Sequence, residues 1–297
     1  MVRINDVPLE DTFAEAFGMT AARLVVTAVS PEWAAVAAAE VSGYASSVIG
    51  CDAEIGVERT IPPEETPDGR PGVSLLMFAF SRDALQKAAV NRVGQCVLTC
   101  PTTACYNGID GAKDRRIRIG GNLRFFGDTW QFSKMLDGRR YWRIPVMDGE
   151  FVCEDFFGTV KGVAGGNFLI LGASQKSALD AASAAIAAIR TVPGVITPFP
   201  GGIVRAGSKI GSRYKKLKAS TSDGYCPTLR GVVPTKLEEG VGAVYEIVID
   251  GIDQSAVEDA MRAGIRAACR PGVVRITAGN YGGKLGPFHL HLHQLLG

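Results

Sequence analysis

The amino-acid sequence predicts an α+β protein made of two copies of a β-α-β-β-α-β unit, with an antiparallel meander inserted between them. Three observations predict it. Short β-branched runs alternate with Ala-rich stretches of helical length, and the same order of elements occurs twice. Each Ala-rich stretch opens on a Ser or Asp suited to capping a helix. Between the two series lies a segment of alternating arginines and aromatics, punctuated by Gly120-Gly121 and Asp137-Gly138.

In the first copy, residues 23–29 (RLVVTAV) form a strand that ends at Ser30-Pro31, a cap followed by a first-turn proline. Residues 32–47 form a helix and residues 46–57 a second strand region. The Pro- and Gly-dense stretch 60–72 is a loop. Residues 73–80 form a third strand, Ser81 caps a helix over 82–94, and residues 95–103 form a fourth strand region. In the second copy, residues 167–171 form a strand and Ser174 caps a helix over 175–191. Residues 195–204 are extended, 243–249 form a strand, Asp253 caps a helix over 254–269, and 272–278 form the last strand. Each series is the ferredoxin-like split unit. Domain limits follow as 1–110, an inserted meander at 111–152 (from RIRIGGNLRFF to YWRIPVM), and 153–297. The strings EDTF and EDFF recur at corresponding places in the two copies.

Composition excludes several classes. Of 297 residues, 46% are hydrophobic and 21% charged, so a core can form and disorder is not the main state. The net charge of +2 argues against a polybasic nucleic-acid binder. No apolar run reaches about 18 residues, so no membrane span is expected. The N-terminal MVRINDVPLEDTFAEAF lacks the apolar core of a signal peptide, so a cytoplasmic location with reduced thiols is expected for the seven cysteines.

Glu246 is the most informative single residue. It interrupts VYEIVID, and strand alternation sets it with Val244 and Val248 opposite Tyr245, Ile247 and Ile249. In a β-α-β-β-α-β unit helices cover one sheet face, so Glu246 points from the other, toward solvent, a salt-bridge partner or a ligand. A carboxylate buried there would titrate nearer neutrality and could exchange a proton. Pro198-Phe199-Pro200-Gly201-Gly202 is a rigid bend that either joins strands or brings backbone amides to a ligand. The stretch Asn280-Tyr281-Gly282-Gly283-Lys284-Leu285-Gly286 has the same two readings. Lys209, Arg213, Lys215, Lys216 and Lys218 form either a solvated basic loop or a site for a polyanionic tail. His289, His291 and His293 share one face if the segment is a strand, yet no metal is expected on so few ligands. Cys96, Cys100 and Cys105 read as reduced thiols rather than nucleophiles. No phosphate-binding glycine motif follows a strand and opens a helix.

The strings EDTFAEAF, ETPDGRPGV, QCVLT, PTTA, GGNF, ITPFPGGIV, AVYEIVI and ITAGNYGGKLG are similar to those of formylmethanofuran–tetrahydromethanopterin formyltransferases, and the resemblance runs from Glu10 to the C-terminus. It implies two ferredoxin-like lobes, homotetramers or dimers of dimers, and no tightly bound cofactor or metal. The implied reaction moves a formyl group between the methanofuran amine and N5 of tetrahydromethanopterin, by direct acyl transfer in a cleft between the lobes. Methanofuran and tetrahydromethanopterin are then substrates. The family's catalytic carboxylate carries over to Glu246. Asp68 and Arg70, Phe199 to Gly202 (Phe199, Pro200, Gly201, Gly202), Lys209, Asn280, Tyr281 and Lys284 are the expected substrate contacts. The balanced charge departs from strongly acidic archaeal members and resembles bacterial forms that work in a formyltransferase/hydrolase complex. Hydrolase-complex subunits are therefore expected partners, and nucleic acid and membrane are not. The alternative is a non-catalytic assembly subunit of such a complex.

Overall fold

The computed structural model describes residues 2–297 and has a mixed α+β architecture. Two compact units form. One holds the residues up to Gly18 together with Val163–Gly297, the other Met19–Gly162. The chain passes between them along the strands Phe13–Thr27 and Val160–Gly172.

In the first unit the strands lie in the order Val195–Ile196, Ala243–Gly251, Val160–Gly172, Val273–Thr277, all antiparallel. Helices Gln175–Ile189 and Gln254–Ala268 cover one face. Their sequences dictate this. Ser174 accepts the Ser177 N–H at 3.1 Å and Asp253 accepts that of Ala256 at 2.8 Å, so both N-termini are capped. Ala181, Ala182, Ala185 and Ile189 then bury one stripe, and Val257, Met261 and Ile265 another, against Phe168, Ile170, Ile247 and Ile249. Small residues let the helices approach closely: a Cβ at Gly264 would stand 2.7 Å from Ile189. The N-terminal segment joins this unit because Glu10 donates to the Ile276 carbonyl at 3.0 Å and Phe13 to Ala16 pair with Phe288–His291.

In the second unit the order is Glu54–Ile61, Gly72–Ala79, Phe13–Thr27, Ala104–Asn107, again antiparallel. Helices Pro31–Ser42 and Arg82–Arg92 pack on it. Strands Phe132–Leu136, Arg139–Val146 and Gly149–Glu154 form an antiparallel meander, whose last strand pairs in parallel with Ala104–Asn107.

Several local expectations fail. The strand expected over residues 46–57 begins only at Glu54, after turns. Residues 95–103 are not a strand. The helical path continues through a wide turn at Val93–Val97, because Val93 and Val97, four apart, both bury on the helix's core side. The strand begins only at Ala104. Gly120-Gly121 is not a hairpin turn. It opens the helical segments Gly120–Leu123 and Arg124–Gly127, and a Cβ at Gly120 would meet the Glu154 carbonyl at 2.4 Å. The three histidines do not share a strand, which ends at His291; His293 lies in helix Leu292–Leu296. All seven cysteines are free thiols. Among the described residues no helix is long and apolar enough to cross a membrane.

Candidate active site

The sheet face of the first unit that the helices leave open carries a cavity of about 520 Å³. Strand alternation supplies its floor. Leu169 stands opposite Glu246 on one side and opposite Thr277 on the other, so these side chains share the open face. Asn167 and Val244 extend the same rows. Glu246 also exchanges backbone hydrogen bonds with Val204, at 2.8 and 3.0 Å, which fixes the wall that runs on to Arg205 and Gly207.

The Glu246 carboxylate keeps a window on the cavity while protein crowds it elsewhere. A Cβ at Gly207 would lie 3.0 Å from its Oε2, so a larger residue there would press on the carboxylate. Burial pushes the Glu246 pKa up to about 7. Among the described residues no cation pairs with it, so nothing opposes that rise. Near neutral pH it is therefore divided between acid and conjugate base, the condition for taking and returning a proton.

Cations ring the cavity, and most are engaged. Arg275 pairs with Glu10 at 2.6 Å and approaches Glu238 at 3.2 Å. Lys209 pairs with Asp223, and the Lys236 ammonium lies 5.2 Å from the Tyr225 ring centroid. Arg205 is exposed and has no carboxylate partner among the described residues. Tyr281 forms another wall. Its phenol pKa is raised by burial, then by the charges of Glu246 and Glu15, so it stays a neutral hydrogen-bond donor. Phe17 flanks its ring at 6.3 Å.

Of the residues singled out from sequence, Glu246, Lys209, Asn280 and Tyr281 line this cavity together. Phe199, Pro200, Gly201, Gly202 and Lys284 belong to the same unit but do not line it. Gly202 is required by packing, since its Cβ would meet Ile186 at 2.5 Å. Asp68 and Arg70 lie in the other unit and do not line the cavity. Asp68 Oδ2 accepts from Thr27 at 2.7 Å, Tyr106 at 3.0 Å and Arg70 Nε at 2.9 Å, and Arg70 also donates to the Thr102 carbonyl, so both side chains knit their own loop. Sequence reasoning missed Asn167, Arg205, Tyr225, Lys236 and Arg275. Asn167 and Arg275 carried the signal that marked Glu246, a polar side chain inside an apolar strand.

The histidines have other duties. The His289 and His291 rings pack tilted against Phe13 with centroids at 4.9 and 5.1 Å, and His293 approaches Asp11 at 3.4 Å. Among the described residues no group of three or more His, Cys, Asp or Glu is placed to hold a metal ion.

Comparison with known proteins agrees with the resemblance read from the sequence. Residues 2–146 match the family model described as "Formylmethanofuran-tetrahydromethanopterin formyltransferase", and residues 149–295 the one described as "FTR, proximal lobe". The formylmethanofuran–tetrahydromethanopterin formyltransferase of Methylobacillus flagellatus is 56% identical over 299 residues, covering 99% of each chain. A component of the formyltransferase/hydrolase complex of Methylorubrum extorquens is 50% identical, covering 99% of this chain and 97% of that one. Among solved structures, the formyltransferase from Methanosarcina barkeri superposes with a TM-score of 0.94 at 48% identity, covering 99% of this chain and 100% of that one. A chain of the formyltransferase/hydrolase complex from Methylorubrum extorquens, solved with methylofuran, superposes with a TM-score of 0.96 at 49% identity, covering 100% of this chain and 99% of that one. With both halves matched and the likeness extending along its whole length, the chain belongs to the formylmethanofuran–tetrahydromethanopterin formyltransferase family.

Proposed function

We propose that Glu246 carries the proton in the formyl transfer that this chain performs between methanofuran and N5 of tetrahydromethanopterin. The chemistry needs one proton moved. N5 attacks the formyl carbon, and a tetrahedral intermediate forms with a negative oxygen. N5 gives up its hydrogen, the bond from the formyl carbon to the methanofuran nitrogen breaks, and that nitrogen leaves as an amine that has gained a proton. A carboxylate with a pKa near neutrality accepts the proton from N5 and delivers it to the departing nitrogen. The Tyr281 phenol donates to the oxygen of the intermediate. Arg205, Lys209 and Asn280 contact the carriers. Both carriers are substrates, and the reading needs no tightly held cofactor. Holding both in one site supplies much of the rate by removing the entropy of encounter.

The observation that carries this reading is a half-buried carboxylate, without a cation partner among the described residues, on the open sheet face of a polar cavity. Glu246→Gln keeps the shape and removes the exchangeable proton. Formyl transfer between the two carriers, followed spectroscopically, is expected to fall about 10²- to 10⁴-fold. In the parent the rate is expected to fall on the acid side with a midpoint near 7. Full activity in Glu246→Gln would overturn the assignment.

The wider reading has the two units as ferredoxin-like lobes, supported by the strand order and single helical face in each. It has the chain assembling as a homotetramer or dimer of dimers in the cytoplasm. The Methylorubrum relative belongs to a formyltransferase/hydrolase complex, and we extend that setting to this chain. There the formyl group passes from tetrahydromethanopterin to the furan carrier, and hydrolase subunits release formate.

A further inference from the structure

The glycine-rich stretch at residues 280–286 reads in the sequence either as a bend or as a loop that offers backbone amides to a ligand. Its amides are already taken. The Glu15 carboxylate, 1% exposed, accepts four of them: Tyr281 and Gly283 at 2.7 and 2.9 Å on Oε2, Leu285 and Gly286 at 2.6 and 2.7 Å on Oε1. An ionised carboxylate offers about four acceptor positions, so this one is filled. Gly282 and Gly283, at φ 74° and 71°, take the left-handed backbone that turns these N–H groups inward. Gly286 has no room for a side chain, since a Cβ there would lie 2.3 Å from the Ala16 carbonyl oxygen.

The loop is tied at its start as well. The Glu15 amide donates to the Gly279 carbonyl at 3.3 Å, and Asn167 accepts the Gly279 N–H at 2.6 Å. What remains facing the cavity are the side chains at its head, Asn280 and Tyr281. Asn280 donates to Thr12 Oγ1 and the Phe13 carbonyl, both at 3.2 Å, which leaves Tyr281 as the uncommitted side chain of the loop on the cavity that Glu246 also lines. A stretch this rich in glycine does not hold one shape unaided, and the carboxylate supplies the missing constraint.

We propose that Glu15 is a positioning residue for formyl transfer: its buried carboxylate sets the conformation of residues 281–286 and so holds the Tyr281 phenol in the cavity wall beside Glu246. The proposal rests on the reading of Tyr281 as the donor to the intermediate's oxygen. A contact made only in the transition state acts on turnover and spares ground-state binding. Glu15→Gln replaces one acceptor oxygen by an amide nitrogen, which faces two N–H groups with N–H of its own.

The test is a double-mutant cycle in steady-state formyl transfer, with Glu15→Gln, Tyr281→Ala and the double variant. Glu15→Gln is expected to lower kcat about 10- to 100-fold, the scale of a misplaced group of roughly 1 Å, with KM for both carriers little changed. In the Tyr281→Ala background the same substitution is expected to add less than about a 3-fold loss, since coupled residues are not additive. Equal losses in both backgrounds, or a folded Glu15→Gln with parental kcat, would overturn the proposal. Should Glu15→Gln not fold, Glu15→Asp enters the same cycle, because it keeps the charge and retracts the oxygens by one methylene. An active Glu246→Gln would remove the proton shuttle yet leave the coupling between Glu15 and Tyr281 to be read on its own.

Discussion

Two glutamates in the first unit show how surroundings set a carboxylate's role. Glu15 and Glu246 each interrupt an apolar strand; Glu15 is fully buried and Glu246 half-buried. Burial alone would raise both. At Glu15 it is outweighed by the N–H groups of Gly286, Leu285, Tyr281 and Gly283, which bring its pKa down to about 2. At Glu246 nothing opposes burial, and its pKa stands at about 7. The consequence for stability has opposite signs. Glu246 holds its proton in the folded chain up to about pH 7 but loses it near 4.5 when unfolded, so folding stability falls as the pH rises through that window. Glu246→Gln escapes the loss and is expected to be more stable than the parent by at most about 3 kcal/mol at pH 8, with the gap closing below pH 4.5. Denaturant unfolding at the two pH values checks this, and equal stability at pH 8 would show that the charged form is not penalised. Such a gain is the expected trade where a candidate catalytic group is kept for function rather than for stability.

At the scale of elements, the helices were legible wherever a cap hydroxyl or carboxylate stood before an Ala-rich run. Ser81, Ser174 and Asp253 each accept the expected backbone N–H. Ser30 does not cap through its side chain, and there Pro31 opens the helix instead. Asp253→Ala is therefore expected to lower stability by about 1 kcal/mol, and Ser30→Ala by less. Both should keep full formyl transfer, since neither residue lines the cavity; thermal unfolding and the activity assay together check this. The elements misread share a cause. Short apolar runs such as residues 95–103 fit a strand or a helix end equally, and burial of Val93 and Val97 decided for the helix. Gly120-Gly121 resembles a turn, but what the chain needed there was room beside the Glu154 carbonyl.

For the whole molecule, the balance of 32 basic and 30 acidic residues leaves little net field, so association with partners must rest on matched local surfaces rather than on overall charge. The hydrolase-complex setting makes a direct prediction. A tagged chain purified from its native host at moderate salt is expected to bring down hydrolase subunits in fixed proportion, identified by mass spectrometry. Recovery of the tagged chain alone would sink that setting while leaving the transfer reaction untouched.

The sequence by itself determined the α+β class, the repeated order of strands and helices and the family, and it singled out Glu246 as a candidate, because periodicity, caps and a charged residue in an apolar strand are local signals. Tertiary structure alone decided which residues share the cavity. Glu10, Lys209 and Arg275 are far apart along the chain and meet only through strand register and loop path. It also decided what the glycine loop does. A run of glycines can face its amides inward or outward at equal local cost. Only the carboxylate of Glu15, some 270 residues away in sequence, settles the direction.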